Sequence, residues 1–356
     1  MSEKVRIGII GAGGIAHVHI NTFKELAEEV EIAAITDVNI ALANDAAKTF
    51  QIPKVYDTTD LLLDDDQLDA VILCVPNRFH APLAIKALHS GKHVLLEKPM
   101  GINGEAAKDI VRAQKETGKV LMVAHQMRWR WQSLEIRKQV ENGDLGKIYH
   151  AKTGWIRRKG IPGWGSWFTQ KEMSGGGPLI DLGVHMLDLS LYLMGDPKPV
   201  SVFGSTYSEF GPKKKGLGNW GRPNWEGFFD VEDFATALIK MDDGSTLSLD
   251  VSWALNMEGD DQPYVKLMGT EGGAFFKGDR LTFFTEKFDR PVDVNVPPPE
   301  NSDRERVLLS KHFIDCIKEG KTPITSALSG LKTNLIIDAI FESSRLGREV
   351  LINWDI

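Results

Sequence analysis

Residues 5–16, VRIGIIGAGGIA, decide the fold of this 356-residue chain. The apolar run Val5–Ile10 leads directly into a turn of small residues, and an apolar helical periodicity follows it. This succession of strand, glycine-rich turn and helix is typical of a dinucleotide-binding fold, in which the backbone approaches a pyrophosphate closely and the helix start offers it free N–H groups. A glycine-rich turn without a ligand is the alternative. The predicted nucleotide-binding residues are Gly11, Gly13, Gly14, Ile15 and Ala16.

Asp37 ends the next apolar run, Ile32–Thr36, at the spacing where a carboxylate accepts hydrogen bonds from the ribose hydroxyls of the nucleotide. A carboxylate at this position repels a 2′-phosphate, and no arginine follows it to hold one. The sequence therefore favours NAD over NADP. A turn aspartate at the end of a strand is the alternative interpretation.

The first third of the chain alternates short apolar runs with amphipathic helical patterns, which predicts a parallel sheet covered by helices on both faces. The apolar runs that follow the first two are Val71–Val75, Val94–Leu96 and Val120–Ala124. We expect residues 1–124 to form a doubly wound Rossmann domain of the α/β class.

Residues 125–356 have a different character and are expected to form a second, α+β domain that binds substrate and mediates oligomerisation. The turn Asp242-Asp243-Gly244 joins Phe234–Met241 to Ser245–Trp253, which predicts an antiparallel hairpin. Further strand candidates predict a large, open, mostly antiparallel sheet: Lys147–Ile156, Val200–Ser205, Tyr264–Met268 and Leu281–Thr285. Helices are predicted at Ser133–Asn142, Leu179–Leu193, Arg304–Lys318 and Leu328–Arg345.

The composition excludes several classes of function. Hydrophobic residues make up 42% and charged residues 26% of the chain, as in ordinary globular proteins. The formal charge is −7, and the compact basic run Lys213–Lys215 lies beside glycine, so no nucleic-acid partner is expected. Two distant cysteines predict no disulfide framework, and no apolar run is long enough to span a membrane. We expect a cytoplasmic protein without a membrane partner.

Two further motifs carry candidate reaction chemistry. Lys98, in Glu97-Lys98-Pro99, follows the predicted strand Val94–Leu96 and so lies at the sheet edge where open α/β folds bind ligands. Asp181 and His185 are spaced i,i+4 after Gly175-Gly176-Gly177-Pro178, which predicts one helix face where a carboxylate orients an imidazole. Histidine titrates near neutral pH and can accept an alcohol proton. A surface lysine, a helix-dipole aspartate and a core histidine are the alternatives.

Together these motifs identify the sequence as similar to the Gfo/Idh/MocA oxidoreductase family, along essentially the whole chain. The similarity rests on Gly11–Ala16, Asp37, Pro76-Asn77 with His80, Glu97-Lys98-Pro99 and Gly175–Asp188. It implies that Lys98, Asp181 and His185 are catalytic and also contact the substrate. It further implies a cis Lys98–Pro99 bond. The additional cofactor-binding residues that it implies are Pro76, Asn77, His80, Glu97 and Lys98.

The stretch Trp155–Trp167 combines indole rings with hydrogen-bond donors, a composition suited to polyhydroxylated rings, although a packing loop or a subunit contact would account for it equally well. The additional substrate-binding candidates are Arg128, Arg157, Arg158, Trp164 and Trp167.

The sequence thus predicts an NAD(P)-dependent dehydrogenase that moves a hydride between nicotinamide and a hydroxyl-bearing carbon of a sugar, sugar derivative or cyclitol. Two alternatives stay open: an NAD-dependent glycosidase acting by transient oxidation and elimination, and a non-catalytic NAD-binding sugar sensor. An uncovered sheet face favours a homo-oligomer, either a dimer or a tetramer. No metal site is expected.

Overall fold

The structure is a computed structural model that describes residues 4–259 and 261–355. The chain divides into two compact units, one made of residues up to 126 with 304–331, the other of 127–303 with 332–355. The predicted change of domain at residue 125 lies two residues from the first of these boundaries. The assignment of 304–331 to the first unit was not foreseen in the sequence.

The element bounds follow the chain order. The strands are β1 Val5–Ile10, β2 Val30–Thr36, β3 Lys54–Val55, β4 Ala70–Leu73, β5 His93–Leu96, β6 Leu121–Val123, β7 Ile148–Ile156, β8 Pro199–Tyr207, β9 Phe234–Met241, β10 Thr246–Ser252, β11 Pro263–Gly269, β12 Gly273–Lys277, β13 Arg280–Lys287, β14 Arg290–Val296 and β15 Val350–Leu351. The α-helices are α1 Gly14–Lys24, α2 Ile40–Phe50, α3 Thr59–Leu63, α4 His80–His89, α5 Gly104–Thr117, α6 Trp131–Asn142, α7 Lys171–Ser174, α8 Val184–Leu193, α9 Glu305–Glu319 and α10 Ala327–Leu346. None of the helices in the described part of the chain is long and apolar enough to cross a membrane.

The first unit contains a six-stranded parallel sheet in the order β3-β2-β1-β4-β5-β6, the order of a dinucleotide-binding Rossmann fold. The strands are apolar because helices cover both faces of such a sheet, and all four residues of β4 are buried. The strand order runs outward in one direction from β1 to β3 and in the other from β4 to β6. The carboxyl ends of β1 and β4 therefore flank the ligand crevice of this fold. The predicted α/β class is confirmed.

The second unit contains a nine-stranded sheet in the order β14-β13-β12-β11-β7-β10-β9-β8-β15. All neighbouring strands in it are antiparallel except β7 and β10, which confirms the predicted mostly antiparallel sheet. Along β9 the buried residues alternate with Leu238 and Lys240, which are exposed on the outer face. Helix α8 contacts β7, β10 and β11, and all its residues except Tyr192 are buried.

The helix predicted over Leu179–Leu193 differs from expectation at its start. Residues Leu179–Gly183 form a π-helical turn, and the α-helix α8 begins only at Val184. Because a π-turn contains more residues than an α-turn, the angular offset between Asp181 and His185 differs from that of the regular α-helix that the sequence predicts. The apolar periodicity of the sequence does not predict this π-turn.

Candidate active site

The glycine-rich turn between β1 and α1 forms an open cradle. A Cβ atom at Gly11 would lie 2.3 Å from the carbonyl oxygen of Cys74, and the φ angle of Gly11 is +97°, so only glycine fits at this point. A Cβ atom at Gly13 or Gly14 would meet nothing within 4 Å, so this stretch of backbone is open to a ligand. Ala16 is fully buried, which allows α1 to pack closely on the sheet. The exposed backbone at the start of α1 fits the pyrophosphate of NAD.

Asp37 lies beside this cradle at the carboxyl end of β2. Its Oδ2 atom accepts a hydrogen bond from the N–H of Ala12 at 2.7 Å, and its Oδ1 atom accepts one from the N–H of Asn39 at 2.7 Å. These bonds fix the carboxylate next to the glycine turn and leave further lone pairs on both oxygens. The geometry fits the recognition of ribose hydroxyls predicted from the sequence.

Replacing Asp37 by alanine should lower kcat/KM with NAD by about 10- to 100-fold, because charge-assisted hydrogen bonds to the ribose are lost. The value with NADP should fall less or rise, because the repulsion of the 2′-phosphate disappears as well. Steady-state rates with both cofactors check this, with Asp45→Ala on the exposed face of α2 as the control. An unchanged NAD to NADP ratio would contradict the assignment of Asp37.

His80 connects the end of β4 to the Lys98–Pro99 segment. Its Nδ1 atom lies 2.6 Å from the carbonyl oxygen of Pro99 and its Nε2 atom 2.9 Å from that of Val75. Burial lowers the pKa of His80, although both carbonyl oxygens favour the charged ring. The contacts that the structure gives the ring are therefore with the protein backbone, and its predicted contact with the cofactor stays a prediction. Pro76 begins the short helical turn 77–79, in which Asn77 is buried.

Lys98 follows β5, and the Lys98–Pro99 peptide bond is cis, as the family resemblance implied. The preceding Glu97 is buried and its Oε1 atom lies 2.7 Å from Nε2 of His19, while its Oε2 atom accepts the N–H of Lys98 at 3.2 Å. Burial alone would raise the pKa of Glu97, but its bond to His19 and nearby positive charges lower it to about 2. Glu97 thus anchors the backbone of Lys98 to α1. Glu97 lies 78 residues from His19 along the chain, so no local sequence pattern indicates this contact.

In the second unit, Asp181 and His185 occupy the π-turn and the first turn of α8. The indole N–H of Trp253, which is fully buried, donates a hydrogen bond to Oδ2 of Asp181 at 3.0 Å. The ring of half-buried Trp155 lies 6.2 Å from the ring of His185, which is 6% exposed. A carboxylate fixed by an indole therefore lies four residues from a nearly buried imidazole, with a second indole beside the imidazole. Orientation of His185 by Asp181 stays a prediction.

The start of this helix is held by a residue that the sequence did not single out. Glu232, which is 6% exposed, accepts hydrogen bonds from the N–H groups of Gly177 and Leu179. Burial raises the pKa of Glu232 to about 7, although these bonds and the charge of Lys171 lower it.

The raised pKa of Glu232 predicts that the free energy of unfolding depends on pH. Between the unfolded value near 4.5 and the folded value near 7, the folded chain binds a proton that the unfolded chain has lost. The free energy of unfolding should therefore fall as pH rises through this interval, by up to about 3 kcal/mol relative to Glu232→Gln, which cannot ionise. Denaturant unfolding of both proteins at pH 5 and pH 8 measures this difference. Parallel behaviour of the two proteins would contradict the shift.

The remaining predicted substrate residues differ in accessibility. Arg157 donates from Nε to Asp261 at 2.6 Å and lies over the Trp155 ring, whereas Arg158 is exposed. Trp167 is half-buried and stacks on Phe168.

Two other predicted residues have intramolecular contacts. Trp164 is 5% exposed and donates its indole N–H to Gly211 at 2.8 Å. Arg128 is buried and forms a bidentate ion pair with Asp188, at 2.8 and 2.6 Å. The structure thus gives Arg128 and Trp164 structural contacts, and their contact with substrate stays a prediction.

The family described as "Oxidoreductase family, NAD-binding Rossmann fold" matches residues 5–125, and the "GFO/IDH/MocA C-terminal domain" matches residues 133–275. The chain is 32% identical over 351 residues to the D-glucoside 3-dehydrogenase of Escherichia coli K12, covering 98% of both chains. It is 26% identical to the NAD(+)-dependent scyllo-inositol 2-dehydrogenase of Bacillus subtilis 168, covering 92% of this chain and 90% of that enzyme.

Among solved structures, a levoglucosan dehydrogenase in complex with NADH and L-sorbose superimposes with a TM-score of 0.89. It is 24% identical and covers 99% of each chain, so the likeness concerns the fold. The family matches span most of both units, and the Escherichia coli relative extends the similarity along almost the whole chain. The protein therefore belongs to the Gfo/Idh/MocA family of NAD-binding oxidoreductases.

Proposed function

We propose that the protein is an NAD-dependent dehydrogenase that oxidises a hydroxyl-bearing carbon of a sugar, sugar derivative or cyclitol, or catalyses the reverse reduction. The observation that carries this proposal is the nearly buried imidazole of His185, four residues along the chain from Asp181, whose carboxylate accepts a hydrogen bond from Trp253. Relatives named for dehydrogenation of glucosides, inositol and apiose support the substrate class. The carboxylate at Asp37 supports NAD over NADP.

In the oxidation direction, NAD supplies the hydride acceptor when it is bound. His185 accepts the proton of the substrate hydroxyl, and the negative charge of Asp181 favours the imidazolium that forms. Lys98 donates a hydrogen bond to the oxygen on which negative charge develops. In the reverse direction the same groups return the proton and hold the carbonyl oxygen.

Substrate recognition is proposed for hydrogen-bond donors and indole rings in residues 155–167. Indole faces pack on the C–H faces of sugar rings, and arginine side chains donate hydrogen bonds to hydroxyl groups. Among the additional substrate-binding candidates, Arg157, Arg158 and Trp167 have half-buried or exposed side chains, so they are the first to test as determinants of KM.

The test is NADH absorbance during incubation of the purified protein with NAD, and separately NADP, and a panel of free sugars, anhydrosugars, glycosides and inositols. Glucosides come first because of the Escherichia coli relative. A rise in NADH with a panel member supports the dehydrogenase. Release of an aglycone without net NADH would instead support the eliminating glycosidase, and NAD binding with neither product would support the sensor.

We also propose that a second copy of the chain covers the outer face of the nine-stranded sheet, giving a dimer or tetramer. The strand pairing places large apolar side chains on this face, three of them on the adjacent strands β8 and β9, and exposed apolar patches mark protein–protein interaction sites. They are Phe203, Tyr207, Leu238 and Phe284, each between 38% and 53% exposed.

Light scattering after gel filtration tests this interface. Phe203→Glu with Leu238→Glu should convert the oligomer to monomers, whereas Leu134→Glu on α6, 42% exposed in the wild type, should not. A monomeric wild-type protein would overturn the proposal. The cytoplasmic location stays a prediction from the sequence.

A further inference from the structure

Glu232 lies just before β9, in a short buried segment with Val231 and Asp233. Its carboxylate binds two backbone N–H groups at the start of the helical segment 179–193. Gly177 donates to Oε1 at 2.9 Å and to Oε2 at 3.0 Å, and Leu179 donates to Oε1 at 2.9 Å. Pro178, between them, has no N–H group. Glu232 therefore binds every N–H group that residues 177–179 offer.

The glycines before this helix allow the chain to lie close to Glu232. A Cβ atom at Gly177 would lie 2.0 Å from the backbone carbonyl oxygen of Glu232. One at Gly176 would lie 2.8 Å from the Phe341 ring and 3.4 Å from Oε2 of Glu232. Side chains at these positions would therefore push the helix start away from Glu232 and Phe341.

Asp181 and His185 are two and six residues beyond Leu179 on the segment that Glu232 holds. The first N–H groups of a helix have no partner within the helix, and a carboxylate that accepts them also interacts favourably with the helix dipole. If these bonds are lost, the π-turn that carries Asp181 loses its fixed starting point. Displacement of reacting groups by about 1 Å can lower a rate by about 100-fold.

We propose that Glu232 is a positioning residue that fixes the helix start beneath Asp181 and His185, and that hydride transfer at the proposed sugar site requires it. The inference rests on the proposed dehydrogenase function for its catalytic part. Its structural part, the restraint on residues 175–185, is independent of the substrate.

The test compares Glu232→Ala, Glu232→Gln and Asp233→Asn. Asp233 is the matched control because it is the adjacent buried carboxylate and its Oδ atoms accept N–H groups of another segment, Glu209, Phe210 and Gly211. We expect Glu232→Ala to lower kcat by about 100-fold with a smaller change in the sugar KM. Glu232→Gln keeps one acceptor oxygen and should restore kcat to within about tenfold of the wild type, and Asp233→Asn should stay within about threefold. The Kd of NAD should not change in any variant.

Amide hydrogen exchange supplies a readout that needs no substrate. Exchange in peptides spanning residues 175–185 should accelerate at least about tenfold in Glu232→Ala and less in Glu232→Gln, while peptides spanning residues 5–16 keep the wild-type rate. If Glu232→Ala does not fold, the Glu232→Gln comparison with Asp233→Asn decides.

The inference would be overturned if Glu232→Ala, Glu232→Gln and Asp233→Asn lowered kcat equally. It would also be overturned if amide exchange in residues 175–185 stayed at the wild-type rate. If the wild type oxidises no panel sugar while exchange responds as expected, the proposed function fails and the restraint on the helix stands.

Discussion

Lys98→Ala should lower kcat for sugar oxidation by about 1000-fold while the Kd of NAD stays within about threefold of the wild type. The expected loss follows from the removal of the donor that stabilises negative charge on the substrate oxygen. NAD binding should persist because Gly11–Ala16, proposed to bind the pyrophosphate, and Asp37, proposed to bind the ribose, are untouched. Stopped-flow turnover measures the first effect, and titration of the protein fluorescence with NAD measures the second.

The controls separate the amine from the fold around it. Lys86→Ala removes an exposed lysine of α4 that forms an ion pair with Asp60, and should leave kcat unchanged. Lys98→Arg keeps the positive charge with a different shape and should recover only part of the activity, because the broad guanidinium does not replace a compact ammonium group. A kcat for Lys98→Ala within tenfold of the wild type would exclude Lys98 from the chemistry.

The nucleotide half of the site could be predicted from the sequence because its signals are local. The small residues of the turn, the strand before it and the helix after it are adjacent along the chain, and Asp37 follows the second strand directly. The bounds of β1 agree with the predicted Val5–Ile10 for the same reason: a buried parallel strand between a polar start and a glycine turn has sharp ends. The bounds of β9 were also predicted, because a turn with Gly244 marks its end.

The residues that hold the reacting groups could not be predicted, because each acts on a distant part of the chain. Trp253 lies 72 residues from Asp181, and Glu232 lies 55 residues from Gly177. A lone glutamate before a strand or a tryptophan after one carries no periodic signal. The contact between Glu232, just before β9, and Gly177 of the triple glycine can be recognised only in the folded structure.

Strand β14 and the π-turn before α8 could not be predicted from the sequence for a similar reason. Strand β14 contains Pro291 and alternates valine with polar residues that are exposed, so its pairing with β13, not burial, makes it a strand. The π-turn at Leu179–Gly183 adapts the helix start to a tight fit: a Cβ atom at Gly183 would lie 3.1 Å from a Leu179 methyl and 3.6 Å from one of Val251. Neither pairing nor fit is encoded in the local pattern of apolar residues.

His185→Ala should lower kcat by about 1000-fold, and added imidazole should restore part of the loss. The expected loss arises because His185 is the proposed acceptor of the hydroxyl proton. Rescue is expected because deletion of a nearly buried ring leaves a cavity beside the Trp155 indole that free imidazole can fill. The measurement is NADH formation at increasing imidazole concentration. Parallel series with N-methylimidazole and with an ammonium buffer of equal ionic strength show whether rescue depends on the imidazole ring or on added buffer and salt.

The matched control is His89→Ala, which removes an exposed histidine of α4. Its kcat should equal that of the wild type and should not change when imidazole is added. We expect Asp181 to stay bound to Trp253 in the His185→Ala variant, so the rescued rate also reports whether the carboxylate alone keeps an imidazole in a productive orientation. Adding Asp181→Asn should then abolish most of the rescue, since the imidazolium that forms loses its counter-charge. Rescue that survives Asp181→Asn would assign the carboxylate to the architecture of the helix start. A His185→Ala variant with near wild-type kcat would require another residue as the proton acceptor.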